Sequence, residues 1–194
     1  MKYTSDIAFT PAVKALQKKN NSRRSYERME QMGGWQTEVT DDLSMFLRTM
    51  DSFYLGTSNN EGQPYFQHRG GPKGFLKPIN KNQLAFADFS GNRQYISIGN
   101  LSENDKAFIF LMDYRNQTRI KIWGTAHVIE DNKERIESLL DENYRAKVER
   151  AIVFNVQAWD INCRQHIKQR FTAGDIEKVT KPLYARIKEL ESLL

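Results

Sequence analysis

The chain has 194 residues, 39% hydrophobic and 27% charged, a balance that supports one domain with a real core and excludes a disordered chain. No apolar run approaches the roughly 20 residues of a membrane helix. The net charge of +5 admits nucleic acid, a membrane surface or a phosphorylated ligand as partner.

In chain order, Thr10 followed by Pro11 is an N-cap and first-turn pair opening a helix through about Lys19. Residues 22–32 read as a second, polar helix stopped by Gly33-Gly34. The basic run Lys18, Lys19, Arg23 and Arg24 across these two segments reads as a solvated helix face. Thr40, with Asp41 and Asp42, caps a third helix whose Leu43, Phe46, Leu47 and Met50 share one face. The opening residues contain no apolar core of a secretory signal, and the lone cysteine, Cys163, reads as a buried structural thiol in a cytoplasmic, reducing setting.

After residue 50 the character changes. Runs at 52–58 and 63–69 flank the turn NNEG, and runs at 75–79 and 83–88 flank NKN. KAFIFLMD (106–113) and TRIKIWGTAHVIE (117–129) form a third pair, and 150–159 adds a further strand. Period-two alternation puts Trp123 and Trp159 on the polar faces of their strands. KAFIFLMD is apolar on both faces, which calls for a second subunit to cover one of them. Helices are predicted at 92–102, 132–145 and 174–194. Hairpin-joined strands with few crossovers predict a mainly β, α+β chain whose antiparallel sheet closes into a small barrel. One domain is expected, with a helical lead-in (1–50) packed on the barrel (51–171) and a C-terminal helix (172–194).

Two stretches could carry chemistry. HRGGPKGF (68–75) sets Gly70, Gly71 and Pro72 between Arg69 and Lys73, with Gly74 following before the next strand. Gly70 and Gly71 allow close approach of a ligand to backbone. In ADFSGNRQYISIGNL (87–101) a strand ends at Asp88, and a helix starting near Asn92 would offer N–H groups beside the Arg93 guanidinium, a phosphate-binding arrangement. Taken singly, each stretch is also an ordinary turn or strand-to-helix loop. His68, His127 and His166 show no metal-ligand spacing with Cys163, and no RNA-binding motif accompanies RIKIW, so neither a metal nor nucleic acid is expected.

The segments 53–75, 84–105, 110–114, 119–128 and 158–171, in this order, resemble the pyridoxamine 5′-phosphate oxidase-related flavoproteins. The resemblance implies a six-stranded antiparallel split β-barrel and a homodimer with FMN at the subunit interface. It assigns the phosphate to Arg69, Lys73, Asn92 and Arg93, with Gln94 in the same loop. Gln67, Gly70, Ala87 and Asp88 would meet the ring and ribityl chain, while Gln157, Trp159, Asn162, Gln165 and His166 would come from the second subunit. Where this branch commonly has proline after the cysteine, Arg164 stands here. The implied activity is FMN-dependent oxidoreduction of a small molecule, with no catalytic side chain named. The alternatives are a non-catalytic flavin module or a haem- or deazaflavin-handling barrel. The Arg-x-His arrangement of the authentic oxidases is missing, and the C-terminus is the helix ARIKELESLL instead.

Overall fold

The computed structural model describes residues 2–162 and 164–193, with the backbone alone of Asn162, so the Cys163 reading lies outside the described residues. A short 3-10 helix (Thr4–Ile7) precedes α1 (Pro11–Lys19), α2 (Arg23–Gln31) and α3 (Asp41–Thr49). The caps are those the sequence predicts: Thr10 accepts from Val13 N at 3.3 Å and Thr40 from Leu43 N at 3.2 Å. Gly33 and Gly34, at φ +112 and +67, end α2 in backbone that favours glycine.

Seven strands follow: β1 (Ser52–Ser58), β2 (Pro64–Gly70), β3 (Lys77–Asn80), β4 (Gln83–Phe89), β5 (Lys106–Asp113), β6 (Thr118–Ile129) and β7 (Val148–Asn162). The family resemblance implied six; the four-residue edge strand β3 is the seventh. All pairings are antiparallel, in the order β2-β1-β5-β6-β7-β4-β3. Hydrogen bonding leaves the sheet open between β2 and β3 among the described residues. It nonetheless curls on itself, because Phe53 of β1 meets Phe86 of β4 at 5.0 Å and Phe75 at 5.4 Å. One buried cluster then joins Leu55, Phe86, Ile109, Ile122 and Phe154 with Leu43 and Leu47 of α3. The architecture is an antiparallel split barrel with flanking helices.

Two expected helices are shorter than predicted. The segment after Asp131 is helical only as α5 (Lys133–Glu137). Beyond it Leu139 turns inward to a second small core, and Asp141 Oδ1 accepts from Asn143 N at 2.9 Å in a competing turn. The helix placed at 92 begins instead as α4 (Ile96–Glu103), since Arg93 and Tyr95 both adopt left-handed backbone, φ +60 and +55. The final helix, α6, runs Ala173–Glu191 behind a Thr172–Asp175 capping box.

Arg23 departs from the solvated basic face expected of it. It is buried, donates from Nη1 to Gln17 Oε1 at 2.6 Å, and pairs with Glu30, whose carboxylate also accepts from Ser5 Oγ at 2.9 Å. Trp159 also breaks the alternation. Across β6 and β7 Gly124 pairs with Val156 but Trp123 with Ala158, leaving Gln157 as an extra, bulged residue. The bulge flips every later side chain of β7, so Trp159 joins the core at 5% exposure and donates its indole N–H to Glu38 O at 2.7 Å. A Cβ at Gly124 would collide with Asn155 O, which is why the bulge sits opposite glycine.

Candidate functional site

The alternation of β2 decides where its polar residues go. Arg69 pairs with Phe53 and Gln67 with Leu55, both core residues, so Gln67 and Arg69 face the barrel interior at its mouth. On β4, Asp88 follows Phe86 and Leu84 along the same inner face. Curling of the sheet therefore brings Arg69 and Asp88 together across the split, where they form an ion pair. Directly opposite Asp88 on β7 stands Arg150, with Nε 3.6 Å from the Asp88 carboxylate. A second bulge, at Glu149 between the Asp88–Arg150 and Phe89–Val148 pairs, turns two successive charged side chains toward the mouth.

Gln67, Arg69, Asp88 and Glu149 line a cavity of about 50 Å³ with Phe89, Gly91, Asn92, Arg93, Gln94, Tyr95, Ser97 and Ile98, and Arg150 stands behind Asp88. Its wall is polar and organised. Ser97 Oγ donates to Gln67 Oε1 at 2.7 Å, and Gln94 N donates to Asn92 Oδ1 at 3.3 Å. Tyr95, the N-cap of α4, provides no side-chain cap, so the first-turn N–H groups of α4 face this loop without a capping side chain. Arg93 is 68% exposed at the rim, 4.0 Å from Glu149.

Charge in the cavity is nearly balanced but its hydrogen bonds are not. Burial pushes the Asp88 carboxyl above its ordinary value, against the pull of Arg69 and Arg150. A hydrogen bond with Ser90, helped by Arg150, holds the Glu149 carboxyl below its own. The Nε atoms of Arg69 and Arg150 are buried, yet neither has a hydrogen-bond partner. Unpaired buried donors are costly, and they mark a place where an acceptor is missing. An anion of phosphate size, accepting from arginine, asparagine and the start of α4, satisfies that chemistry.

Of the residues singled out in the sequence, the cavity gathers Gln67, Arg69, Asp88, Asn92, Arg93 and Gln94. Gly70 ends β2 and lines neither cavity, and a Cβ there would meet His68 and Asp51 of the second. Lys73 does not join them: it lines a second cavity of about 570 Å³, with Asp51, Tyr54, His68, Arg115 and Arg170. Ala87 points outward, buried in the small core with Ala85, Ala151 and Val153. Gln157, Gln165 and His166 are exposed and line neither cavity, and Trp159 is enclosed beneath Gln36 and Glu38. The side chain of Asn162 lies outside the described residues. Sequence reasoning missed Arg150, Glu149, Tyr95 and Ser97. The two β7 residues are placed by a bulge, and no local pattern announces one.

The family model described as pyridoxamine 5′-phosphate oxidase matches residues 39–172, more than half of the chain. No curated protein sequence matches. Among solved structures, HupZ of Group A Streptococcus is 13% identical with a TM-score of 0.50, covering 68% of this chain and 98% of its own. An FMN-binding protein of Syntrophomonas wolfei is 16% identical with a TM-score of 0.49, covering 76% of this chain and 97% of its own. At 13% identity the likeness to HupZ speaks to the fold alone.

Proposed function

We propose that this chain, which belongs to the pyridoxamine 5′-phosphate oxidase family, is an FMN-binding flavoprotein whose phosphate site is the Arg69–Asp88–Arg93 cavity at the barrel mouth. The observation that carries this reading is the buried Nε of Arg69, a residue lining that cavity, which has no hydrogen-bond partner. Arg69, Asn92 and Arg93 would hold the phosphate together with the backbone at the start of α4. Asp88 and Arg150 would fix the Arg69 guanidinium in place. Gln67 would meet the ribityl chain.

A cavity of about 50 Å³ admits a phosphate group but not a three-ring flavin, for which sites of roughly 300–1,000 Å³ are usual. The ring would extend beyond the mouth, against a second subunit presenting Gln157, Gln165 and His166. That placement fits a homodimer and the exposure of these three residues. Lys73 is reassigned from the phosphate to the larger cavity on the other face of β2.

When bound, FMN would supply one- and two-electron redox chemistry to a small-molecule substrate. The chain's own residues would bind the phosphate, orient the cofactor and keep the Arg69 charge at a fixed place. No helix of the described residues is long and apolar enough to cross a membrane, and a cytoplasmic setting is part of the proposal. Purified protein should show the two visible bands of bound flavin; a colourless protein indifferent to added FMN would refute the reading. Stopped-flow mixing with NADH, NADPH and pyridoxamine phosphate then reads activity. Reduction by any of them supports an oxidoreductase, and failure of all three favours a non-catalytic flavin module.

A further inference from the structure

Helix α6 is the longest helix of the chain and buries none of its residues. Its start is tethered to the barrel by an Arg115–Asp175 ion pair of 2.8 Å. Beyond that it carries a run of large apolar side chains open to solvent: Ile176, Val179, Leu183, Tyr184, Ile187 and Leu190, with Leu183 at 59% exposure. A solvated helix gains nothing from such residues, and an apolar stripe of this kind calls for a cover.

The spacing says what kind. Ile176, Leu183 and Leu190 recur every seven residues, and Thr180 and Ile187 recur four residues after them. Leu194, outside the described residues, continues that second series in sequence. This is the alternating three–four spacing of a coiled-coil seam, with Ile176, Leu183 and Leu190 as d positions and Thr180 and Ile187 as a positions. Pro182 falls at position c, facing away from the seam, so its ring does not obstruct the contact.

We propose that α6 pairs in parallel with α6 of a second copy of this chain. Charge selects both the occupant and the direction. In a parallel pair, Arg186 at position g faces Glu191 at position e of the other copy, an attractive contact made twice by symmetry. In an antiparallel pair about the midpoint of the stripe, Glu177 would face Glu191, both negative. Within one helix Arg186 is already paired, with Glu189 at 2.6 Å, but both side chains are well exposed and such a pair is readily exchanged. The polar Thr180 in an otherwise apolar seam favours one register over its slips.

Cysteine cross-linking of the full chain tests pairing and direction together and reads no flavin signal, so its failure is separate from failure of the FMN reading. Leu190→Cys places a thiol in the seam, and Ala185→Cys places one on the outward f position; both are compared with the wild-type background, which has only Cys163. Under mild oxidation Leu190→Cys should form a 190–190 bridge, located by peptide mapping, at least tenfold faster than Ala185→Cys forms its own. Equal rates would overturn the pairing. Cross-linking of Leu183→Cys without that of Leu190→Cys would overturn the parallel direction.

Discussion

Two buried arginine–carboxylate clusters among the described residues differ in one respect. In the helical lead-in, each nitrogen of Arg23 has a partner: its Nε donates to Glu27 at 3.1 Å, its Nη1 to Gln17 at 2.6 Å, and its Nη2 pairs with Glu30. At the barrel mouth, Arg69 pairs with Asp88 through Nη1 while its buried Nε has no hydrogen-bond partner, and the Nε of Arg150 also lacks a hydrogen bond although it lies 3.6 Å from Asp88. Both clusters are a few residues of charge enclosed by protein. The first is closed, which is what a structural network requires. The second retains donors toward a cavity, which is what a binding site requires. Between these two clusters the difference lies in unfilled hydrogen bonds beside a cavity, not in burial or charge; the Nε of Arg119 also lacks a hydrogen bond but lines neither cavity.

The largest effect should come from the closed cluster. Arg23→Ala leaves the Glu30 carboxylate buried without its cation and should cost about 3–5 kcal/mol of stability, read by urea unfolding. A loss below about 1 kcal/mol would mean that the lead-in is not a packed part of the fold. At the open cluster the main loss should be in binding. Arg69→Ala should weaken FMN affinity by about 1.5–3 kcal/mol, or roughly 10–150-fold in a fluorescence-quenching titration. Arg93 lies at the exposed rim, where water screens its charge, so Arg93→Ala should weaken FMN less than Arg69→Ala does. If Arg93 proved the larger of the two, the phosphate would sit outside the mouth rather than against Arg69.

Titration separates the regions by sign. The Lys14 hydrogen bond, aided by Tyr3 N–H, holds Asp6 of the lead-in at about 2, below its usual 3.8. Its stabilising contribution is therefore present above pH 3.8 and is lost as pH falls toward 2. Asp88 is shifted the other way by burial. The folded state binds its proton more tightly than the unfolded chain, so its contribution declines as pH rises from 3.8 through the raised value. Stability differences between wild type and Asp6→Asn, and between wild type and Asp88→Asn, should thus slope in opposite directions across the acid range. Parallel slopes would show that ion pairing, not burial, governs Asp88.

Much of the fold was legible because it is local. The Thr10 and Thr40 caps, the Gly33-Gly34 stop and the Asn59–Gly62 turn each rest on a few adjacent residues. Arg69, Asp88, Asn92 and Arg93 were also visible, through the glycine-rich turns around them and the family resemblance. What the sequence hid depends on partners far along the chain. The bulge at Gln157 shifts Trp159 from the polar face into the core, and the bulge at Glu149 brings Glu149 and Arg150 to the mouth. A bulge exists only against a neighbouring strand, so alternation within one strand carries no sign of it. Lys73 parts from Arg69 for a related reason. It lies four residues from Arg69, but the chain turns between them, at Gly71 against the Phe75 ring, and the two side chains reach different cavities.

The central claim, that the unfilled donors of the mouth cluster are a phosphate site for FMN, is tested most directly by equilibrium titration of the full chain with FMN, wild type beside Arg69→Ala. Saturable binding of one FMN per chain, weakened at least tenfold in a variant that keeps the wild-type unfolding profile, is the predicted result. No saturable binding, or equal affinity in the two proteins, would contradict it.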